Sequence, residues 1–593
     1  MYNFGLIGNC QVSALVERDG TINWLCMPRL DSPPIFGRLL DTKAGYLESK
    51  PQSFDASRQA YLKNTNILVT EFDHHQKPVI KIKDFCPRFE QHGRMYRPAS
   101  VFRIIEPLET GIRINVKCNP IDGWNKTQLQ PLRGNSHIRY EMTTGQLRVV
   151  TNIPLTYLLS GESFLLQETA YLAILWDMPL EADLKQVSQD FCTRTEHYWR
   201  TWVKHCSIPT LFQEEVIRSA LTLKLHCYED TGAIIAATTT SLPEKRGGVR
   251  NWDYRLCWIR DAAFTLNALH QLGHFDEMER FLQFILNIVN FNDNLLPVYS
   301  IDQKIPLPEV EHRQWTGYLN SSPVRTNNAA AAQVQNDVYG ELILSLAPIF
   351  LDERFHHLRS TQLDRTMHWL ASKCVDVVGK KDAGLWEMRG IQLEHSFTNL
   401  MSWAGLDRWL NLATSRKINA PSTELISTAN LARDRAVGRI RAAVVDGSVR
   451  NSPSDPSLDA SMLLMAPLRF PDPNLTFSTL KAIAEGLQVR DGSGEADRYL
   501  LYRYRRQDDF GAPEDPFVVC SFWMAHAYAL ASQQQLSREI IKSTLKCATN
   551  LGLFAEHFES KTGFQLGNFP QTYSHVGLIN AAFAASPGWY ETL

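Results

Sequence analysis

The feature that most constrains this chain is a change of hydrophobic period near residue 187. Before it, runs such as ILVTEF (67–72), PVIKIKDF (78–85), IRINVKC (112–118), LRVVTNI (147–153) and QETAYLAILW (167–176) are β-branched or alternating. Turn residues such as RDG (18–20), ETG (109–111) and TGQ (144–146) separate them. Many short strands with no helices between them predict an antiparallel β-sandwich over residues 1–185. After 187 the period becomes helical, and VSQDFCTRTEHYWRTWVKHC (187–206) reads as a linker helix within 186–210.

About twelve helical segments follow, over roughly 212–228, 260–272, 276–291, 330–350, 357–379, 396–414, 424–446, 457–467, 474–487, 516–533, 536–551 and 574–586. In 330–350, Val334, Val338, Leu342, Ile343 and Leu346 recur at helical spacing. Twelve helices can pair into six hairpins and close into an (α/α)6 barrel over residues 211–593, although counting alone does not separate that barrel from an irregular bundle. The expected fold class is therefore multidomain, β followed by all-α. In a barrel the loops joining alternate helices converge at one end. Here those loops hold the Trp- and Gly-rich stretches, and a site belongs there.

A length of 593 residues exceeds one core and implies two or three domains. A net charge of −2 without a Lys/Arg cluster argues against a nucleic-acid surface, whose affinity rests on neutralising phosphates. The eleven cysteines are scattered, with no CxxC pair, which suits reduced thiols and a cytoplasmic location. The N-terminus MYNFGLIGNCQ lacks the pattern of a signal peptide. No apolar run approaches the ~20 residues that span a bilayer, so no membrane partner is expected. Fourteen Trp suit sugar binding, and equally a large core.

Four loop stretches could carry chemistry. In GGVRNWDYRLCWIRDA (247–262), the adjacent Arg260 and Asp261 offer donors and acceptors to sugar hydroxyls, and Trp258 offers a platform for a sugar's C–H face. The plain alternative is that Asp261 caps a helix and Arg260 pairs with a nearby carboxylate. In GLWEMRG (384–390), Glu387 sits beside Trp386. A water-poor aromatic setting favours a protonated carboxyl, as a general acid requires; a solvated or salt-bridged glutamate is the alternative. In LFAEHFE (553–559), Glu556 could activate a water on the opposite face of the sugar, with His557 and Glu559 as rivals and a solvated helix-end glutamate as the alternative. In YLLYRYRRQDDFGAPEDPF (499–517), Arg503, Arg505 and Arg506 precede an acidic loop; they could bind sugar hydroxyls or form a solvated charge run. Two carboxyls facing each other across a pocket are the equipment of glycoside hydrolysis. No phosphate loop, GxSxG or HExxH pattern occurs, and His395 and His575 make no ligand set.

The order of motifs resembles glycoside hydrolase family 15, the glucoamylase and trehalase family, in its bacterial-type two-domain form. The likeness runs nearly end to end, through GLIGNCQVSALVERDGTINWLCMPRLDSPPIFGRLLD (5–41), IAATTTSLPEKRGGVRNWDYRLCWIRDA (235–262), PVRTNNAAAAQVQNDVYGE (323–341), GLWEMRG (384–390), SLDAS (457–461), VCSFW (519–523) and GNFPQTYSHVGLINAA (567–582). The resemblance implies an N-terminal β-sandwich, a linker helix and a catalytic (α/α)6 barrel. It also implies inverting hydrolysis of an α-glucosidic bond from the non-reducing end, with release of β-glucose and with no metal or organic cofactor. By motif position Glu387 is the general acid and Glu556 the general base. Arg260 and Asp261 hold the terminal glucose, Trp258 and Trp386 wall the pocket, and Arg505 makes a further contact, with Arg503 as fallback. Loop 27–32 is expected to reach over the barrel mouth. Asn399, Asn327 and His526 depart from the family pattern, which customarily has Lys, Gly and an acidic residue there, and the first two are expected near the subsites. The substrates implied are small soluble α-glucosides: trehalose is favoured, and α-1,4 or α-1,6 gluco-oligosaccharides are the rivals. A non-catalytic or repurposed relative that acts on or binds a glycosylated metabolite, and a transglycosylase, are the competing classes. A homodimer through the sandwich edge or the linker helix is the suggested oligomer.

Overall fold

The computed structural model describes residues 2–291, 293–305, 308–489 and 499–592. The period-two region forms two antiparallel sheets. The first runs Phe4–Gly8, Ser13–Glu17, Ile22–Cys26, Tyr46–Pro51, Arg113–Asn119, Phe164–Leu165, with Pro34–Phe36 also on Ile22–Cys26. The second runs Leu132–Arg133, His137–Met142, Gly145–Thr151, Ala170–Trp176, Ser100–Pro107, Lys77–Phe85, Leu68–His74, Ala56–Tyr61. Burial along Arg113–Asn119 alternates as its sequence does, whereas Phe4–Gly8 and Ile22–Cys26 are buried throughout. The second sheet and the turn at Leu551 together cover Gly5, since a Cβ there would meet both Leu68 and Leu551. The short helix α1 (Leu155–Ser160), stopped by left-handed Gly161, was not anticipated among the strands.

Helix α2 (Leu184–Lys204) starts where Asp183 accepts the Gln186 N–H at 2.8 Å, an N-cap that satisfies an otherwise orphan donor. Its Cys192 packs with Phe85, Phe102 and Tyr171 of the second sheet. The helical region follows as α3 (Gln213–His226), α4 (Ile259–Gln271), α5 (Asp276–Ile288), α6 (Val338–Leu351), α7 (Thr361–Val377), α8 (Ser396–Thr414) and α9 (Thr423–Ala442). It continues with a 3-10 turn Ala460–Leu464 leading into α10 (Met465–Leu468), then α11 (Pro473–Gly486), α12 (Val518–Leu530), α13 (Gln534–Thr544) and α14 (Thr572–Ala585). Helix α4 packs on α6, α6 on α8, α8 on the Ala460–Leu464 turn, that turn on α12, α12 on α14, and α14 again on α4. Helices α8, α12 and α14 are buried nearly all round, whereas α5 and α13 bury one stripe, as helices with one wet face do. Among the described residues no helix is long and apolar enough to cross a membrane.

Three helical expectations need correction. Helix α13 ends at Thr544 and not near 551. Residues 333–337 are not helical, and α6 starts only at Val338. Val334, read as a core position, is 51% exposed. The polar run Gln333–Asp337 is held by other partners, such as the Asp382 carboxylate accepting the Asn336 N–H at 2.8 Å. The segment read as helix over 457–467 is instead the Ala460–Leu464 turn followed by a single helical turn, begun by Asp459 accepting the Ser461 N–H at 3.0 Å.

The sheets brace the loop before α4. Arg255 donates to Asp253 at 2.9 and 2.8 Å and to the Ser32 carbonyl at 2.8 Å, with its guanidinium 5.9 Å from the Trp24 ring and 5.3 Å from Trp124. Trp24 donates to the Thr238 carbonyl at 2.9 Å, and Trp124 stacks on His312 at 4.8 Å. A buried charge knot adds to this junction: Glu229 accepts from Arg88 and Lys224, both at 2.5 Å, and Lys224 also reaches Glu277 at 2.5 Å.

Two glycines let α6 and α8 touch backbone to backbone. A Cβ on Gly340 would lie 2.2 Å from the Met401 carbonyl oxygen, and one on Gly405 would lie 2.8 Å from the Gly340 Cα. Gly340→Ala is expected to push these helices apart at a cost of about 1–3 kcal/mol, read as a lower denaturation midpoint.

Candidate active site

The loops ahead of α4, α6, α8, α12 and α14 meet at one end, where they line one cavity that holds Trp258, Arg260, Asp261, Trp386, Glu387, Arg503 and Glu556.

Glu387 stands on one wall, in a turn whose backbone is unusual. Its φ is +60°, a left-handed conformation that costs a glutamate energy and persists only when its surroundings fix it. They do so here. Gly384, also left-handed, packs on the His395 ring, and Gln333 donates to the Glu387 carbonyl at 3.1 Å. The carboxylate Oε1 accepts Trp258 Nε1 at 2.6 Å, Arg260 Nη2 at 3.2 Å and Gln335 Nε2 at 3.3 Å. All three donors converge on one oxygen, which leaves Oε2 to meet a ligand.

Arg260 is 3% exposed, so it is no surface ion pair. Its Nε donates to the Tyr573 hydroxyl at 3.0 Å, and its Nη1 to Gln335 at 2.8 Å and Asp337 at 2.9 Å. Asp261 lies in the first turn of α4 without capping it, and faces the cavity. Burial, reinforced by the charge of Glu387, pushes its carboxyl up to about 7 despite Arg260 beside it. Trp386 turns its indole N–H to Asp459 at 2.9 Å, and Asp459 is held in turn by Arg506 at 3.0 Å.

Glu556 stands on the other wall, buried just ahead of the strand His557–Glu559. Tyr254 Oη donates to its Oε1 at 2.8 Å, and its buried Oε2 has no hydrogen-bond partner among the described residues. Burial pushes this carboxyl up to about 8; Glu244 nearby adds to the rise, while Tyr254 and Arg503 oppose it. Glu244 accepts Trp252 Nε1 at 2.8 Å and Arg503 Nη2 at 3.2 Å. Burial lowers His557 to about 4, so it is neutral near pH 7; it stacks on Phe517 at 4.7 Å. Glu559, the other rival, pairs with Arg246 instead and is absent from the cavity wall. Oxygens of Glu244 and Glu556 and a nitrogen of His557 lie within 4.8 Å of one another, as metal ligands could. Arg503 already supplies a positive charge to this group, which disfavours a cation there.

The two walls are joined through aromatic rings. Tyr254, bonded to Glu556, meets Trp258, bonded to Glu387, edge to face at 5.4 Å.

Three expectations are corrected by position. Arg505 lies outside the cavity and donates to the Gln488 carbonyl at 2.7 Å; the arginine that faces the cavity is Arg503. Loop 27–32 does not cross the mouth. It supports the 253–255 backbone from behind through the Ser32 carbonyl, and Arg29 pairs with Asp302 at 3.2 Å. Asn399 and Asn327 are not on the cavity wall. Asn399 ties the Gly379 N–H at 2.9 Å to Glu394 at 3.2 Å, and Asn327 occupies a left-handed position that suits Asn or Gly. Glu244 and Tyr254 carry no local sequence signal for their roles, because their partner Glu556 lies some three hundred residues away.

A cavity lined by two carboxyls and an Arg–Asp pair suits a glycoside hydrolase. Residues 211–547 and 529–583 match the model of glycosyl hydrolases family 15, and residues 2–106 match a trehalase-like N-terminal model. The chain belongs to glycosyl hydrolase family 15. It is 30% identical to a trehalase of Thermoplasma volcanium over 98% of this chain and 92% of that one. It is also 30% identical to trehalases of Thermoplasma acidophilum, over 96% and 97%, and Mycolicibacterium smegmatis, over 98% and 90%. Among solved structures, a bacterial glucoamylase complexed with acarbose shares the fold at TM-score 0.67 and 14% identity, over 98% of this chain and 94% of that one.

Gly567 tests how tightly Glu556 is held. Its φ is +79°, and an added Cβ would lie 2.7 Å from both Glu556 Cβ and Oε2. Gly567→Ala is expected to displace the carboxyl and cut hydrolytic turnover about 10²-fold, the scale of a misplacement near 1 Å, as measured by steady-state glucose release.

Proposed function

We propose that the protein is a trehalase, an inverting hydrolase that cleaves trehalose to glucose at the cavity between Glu387 and Glu556. The observation that carries this reading is the pair of carboxyls lining one cavity, with Arg260, Asp261 and the indoles of Trp258 and Trp386 beside them to receive one glucose ring. The trehalases of similar length and sequence support trehalose as the substrate. The closed order of helix neighbours from α4 round to α14 supports an (α/α)6 barrel, preceded by a β-sandwich at 1–185 and a linker helix at 186–210.

In this mechanism Glu387 gives its proton to the glycosidic oxygen as the C1–O bond breaks. Glu556 takes a proton from the water whose oxygen bonds to C1 from the opposite face. Inversion yields β-glucose from the α-linked ring, and it needs room for that water, hence carboxyls roughly 6.5–9.5 Å apart. Arg503, beside Glu556 on the wall, is the further contact for the bound sugar.

Two measurements test the assignment. Anomer-resolved NMR on trehalose is expected to show β-glucose and α-glucose in equal first-formed amounts, one from each ring; two α anomers would sink inversion. Glu387→Gln is expected to lower kcat on trehalose by about 10²–10⁴-fold yet keep activity on α-glucosyl fluoride, whose leaving group needs no proton. Glu556→Gln should lose both, and the reverse pattern would exchange the two roles.

Burial pushes the Glu556 carboxyl up to about 8, and a base acts only once ionised. kcat/KM is therefore expected to rise with pH through that region and to fall as pH drops below it. Glu244→Gln removes the like charge that raises Glu556, so the ascending limb should move to lower pH; an unmoved limb would show that another group controls it.

A further inference from the structure

A strap bridges two sides of the cavity. Residues 507–512, in the loop before α12, are anchored on both catalytic walls. On the side of Glu387, the Asp509 carboxylate accepts the Arg389 N–H at 2.6 Å and the Gly390 N–H at 2.8 Å, two and three residues beyond the acid. Gly390 leaves no room for a side chain there, since a Cβ would lie 2.8 Å from Asp509 Oδ1.

On the side that carries Tyr254, Arg250 donates to the Asp508 carboxylate and, at 2.9 Å, to the Gly511 carbonyl. Asp508 is itself fixed by the Tyr504 hydroxyl at 2.6 Å and the Phe510 N–H at 2.8 Å. The Phe510 ring meets Trp252 edge to face at 5.3 Å. Arg389 spans the same gap, with its guanidinium 4.3 Å from the Trp252 ring and bonded to Glu309 at 3.1 and 2.8 Å. Arg250, Trp252, Arg389, Asp508, Asp509 and Phe510 all line the cavity. Phe510 is 38% exposed although it lines the cavity, which puts this doubly anchored segment at the cavity's rim.

We propose that this strap is the specificity determinant of the enzyme: it admits a sugar of two rings and excludes a third ring attached to the second. The inference builds on the trehalase reading and sharpens it. The first ring fills the closed end at Arg260 and Asp261, the scissile oxygen lies between Glu387 and Glu556, and the second ring lies under Arg389, Trp252 and Phe510. A third ring would have to pass through the space held by Asp509 and Phe510. Trehalose ends at two rings, whereas a glucan chain continues through the mouth.

The test compares two substrate pairs in the wild type and in the double variant Asp509→Ala/Phe510→Ala. The first pair is trehalose and trehalose bearing a further α-1,4-glucose on one ring, scored by maltose release, which reports cleavage of the same 1,1 bond with the extra ring outward. The second is maltose and maltotriose. In each pair that is turned over, the wild type is expected to handle the longer sugar at least about tenfold less well in kcat/KM, the scale of one steric or contact loss in a pocket. The variant should close that gap, with its denaturation midpoint kept as evidence of an intact fold. A wild type that releases maltose from the trisaccharide as readily as it splits trehalose overturns the strap, and so does a folded variant with unchanged ratios. A wild type that ignores trehalose but discriminates maltose from maltotriose overturns the substrate reading and leaves the strap standing.

Discussion

A guanidinium cannot shed its charge, so burying Arg260 obliges the fold to bring acceptors to it from every side. They come from separate segments: Gln335 and Asp337 ahead of α6, Glu387 in the turn before α8, and Tyr573 in α14. None of these meets Arg260 unless α4, α6, α8 and α14 take their places, so one buried cation registers the helices against each other. The left-handed backbone of Glu387, a strain of about 1–3 kcal/mol, is held where three donors meet Oε1.

The opposite wall is built on different terms. Glu556 receives a phenol rather than a guanidinium, and the nearest acidic neighbour, Glu244, takes Arg503 for itself. Glu556 is thus left short of compensation and holds its proton tightly, which would make it a strong acceptor once ionised. The two carboxyls are chemically alike in isolation. What separates their surroundings is that Glu387 lies against Arg260, whereas Arg503 near Glu556 is bonded to Glu244.

Much of this was legible in the chain. Period-two runs located Leu68–His74, Lys77–Phe85 and Ala170–Trp176, and helical spacing located α4 to α9 and α11 to α14 to within a turn, apart from the late start of α6 and early end of α13, because burial of one face is written into local periodicity. The stretches around Glu387, Glu556 and Arg260 stood out by composition, and the structure brings all three to one cavity. What was not legible depends on distant partners or fine register. Arg503 and Arg505 differ by two residues, and only the fold decides which one faces inward. Glu244 reads as an ordinary charge in a loop until Glu556 is packed beside it. Val334 kept the helical spacing of its neighbours, but the polar residues after it found partners outside the helix, and tertiary bonds overrode the pattern.

The part played by the N-terminal sheets follows from where both walls hang. Tyr254, which orients Glu556, and Trp258, which orients Glu387, lie four residues apart on a stretch that has little regular structure of its own. A loop left to itself would let both side chains drift, and a site needs its donors held to within about half an ångström. The sheets supply that constraint. Arg255, between the two aromatics, is clamped by the Ser32 carbonyl and faces the Trp24 and Trp124 rings, while Asp253 on the same loop takes the Arg255 fork and the Asn327 N–H at 3.1 Å. Loop 27–32 therefore acts on the chemistry from behind, by fixing backbone rather than by touching a sugar. The sheet domain is on this account a structural support of the cavity, and separating it from the helices would loosen Glu556 and Glu387 together.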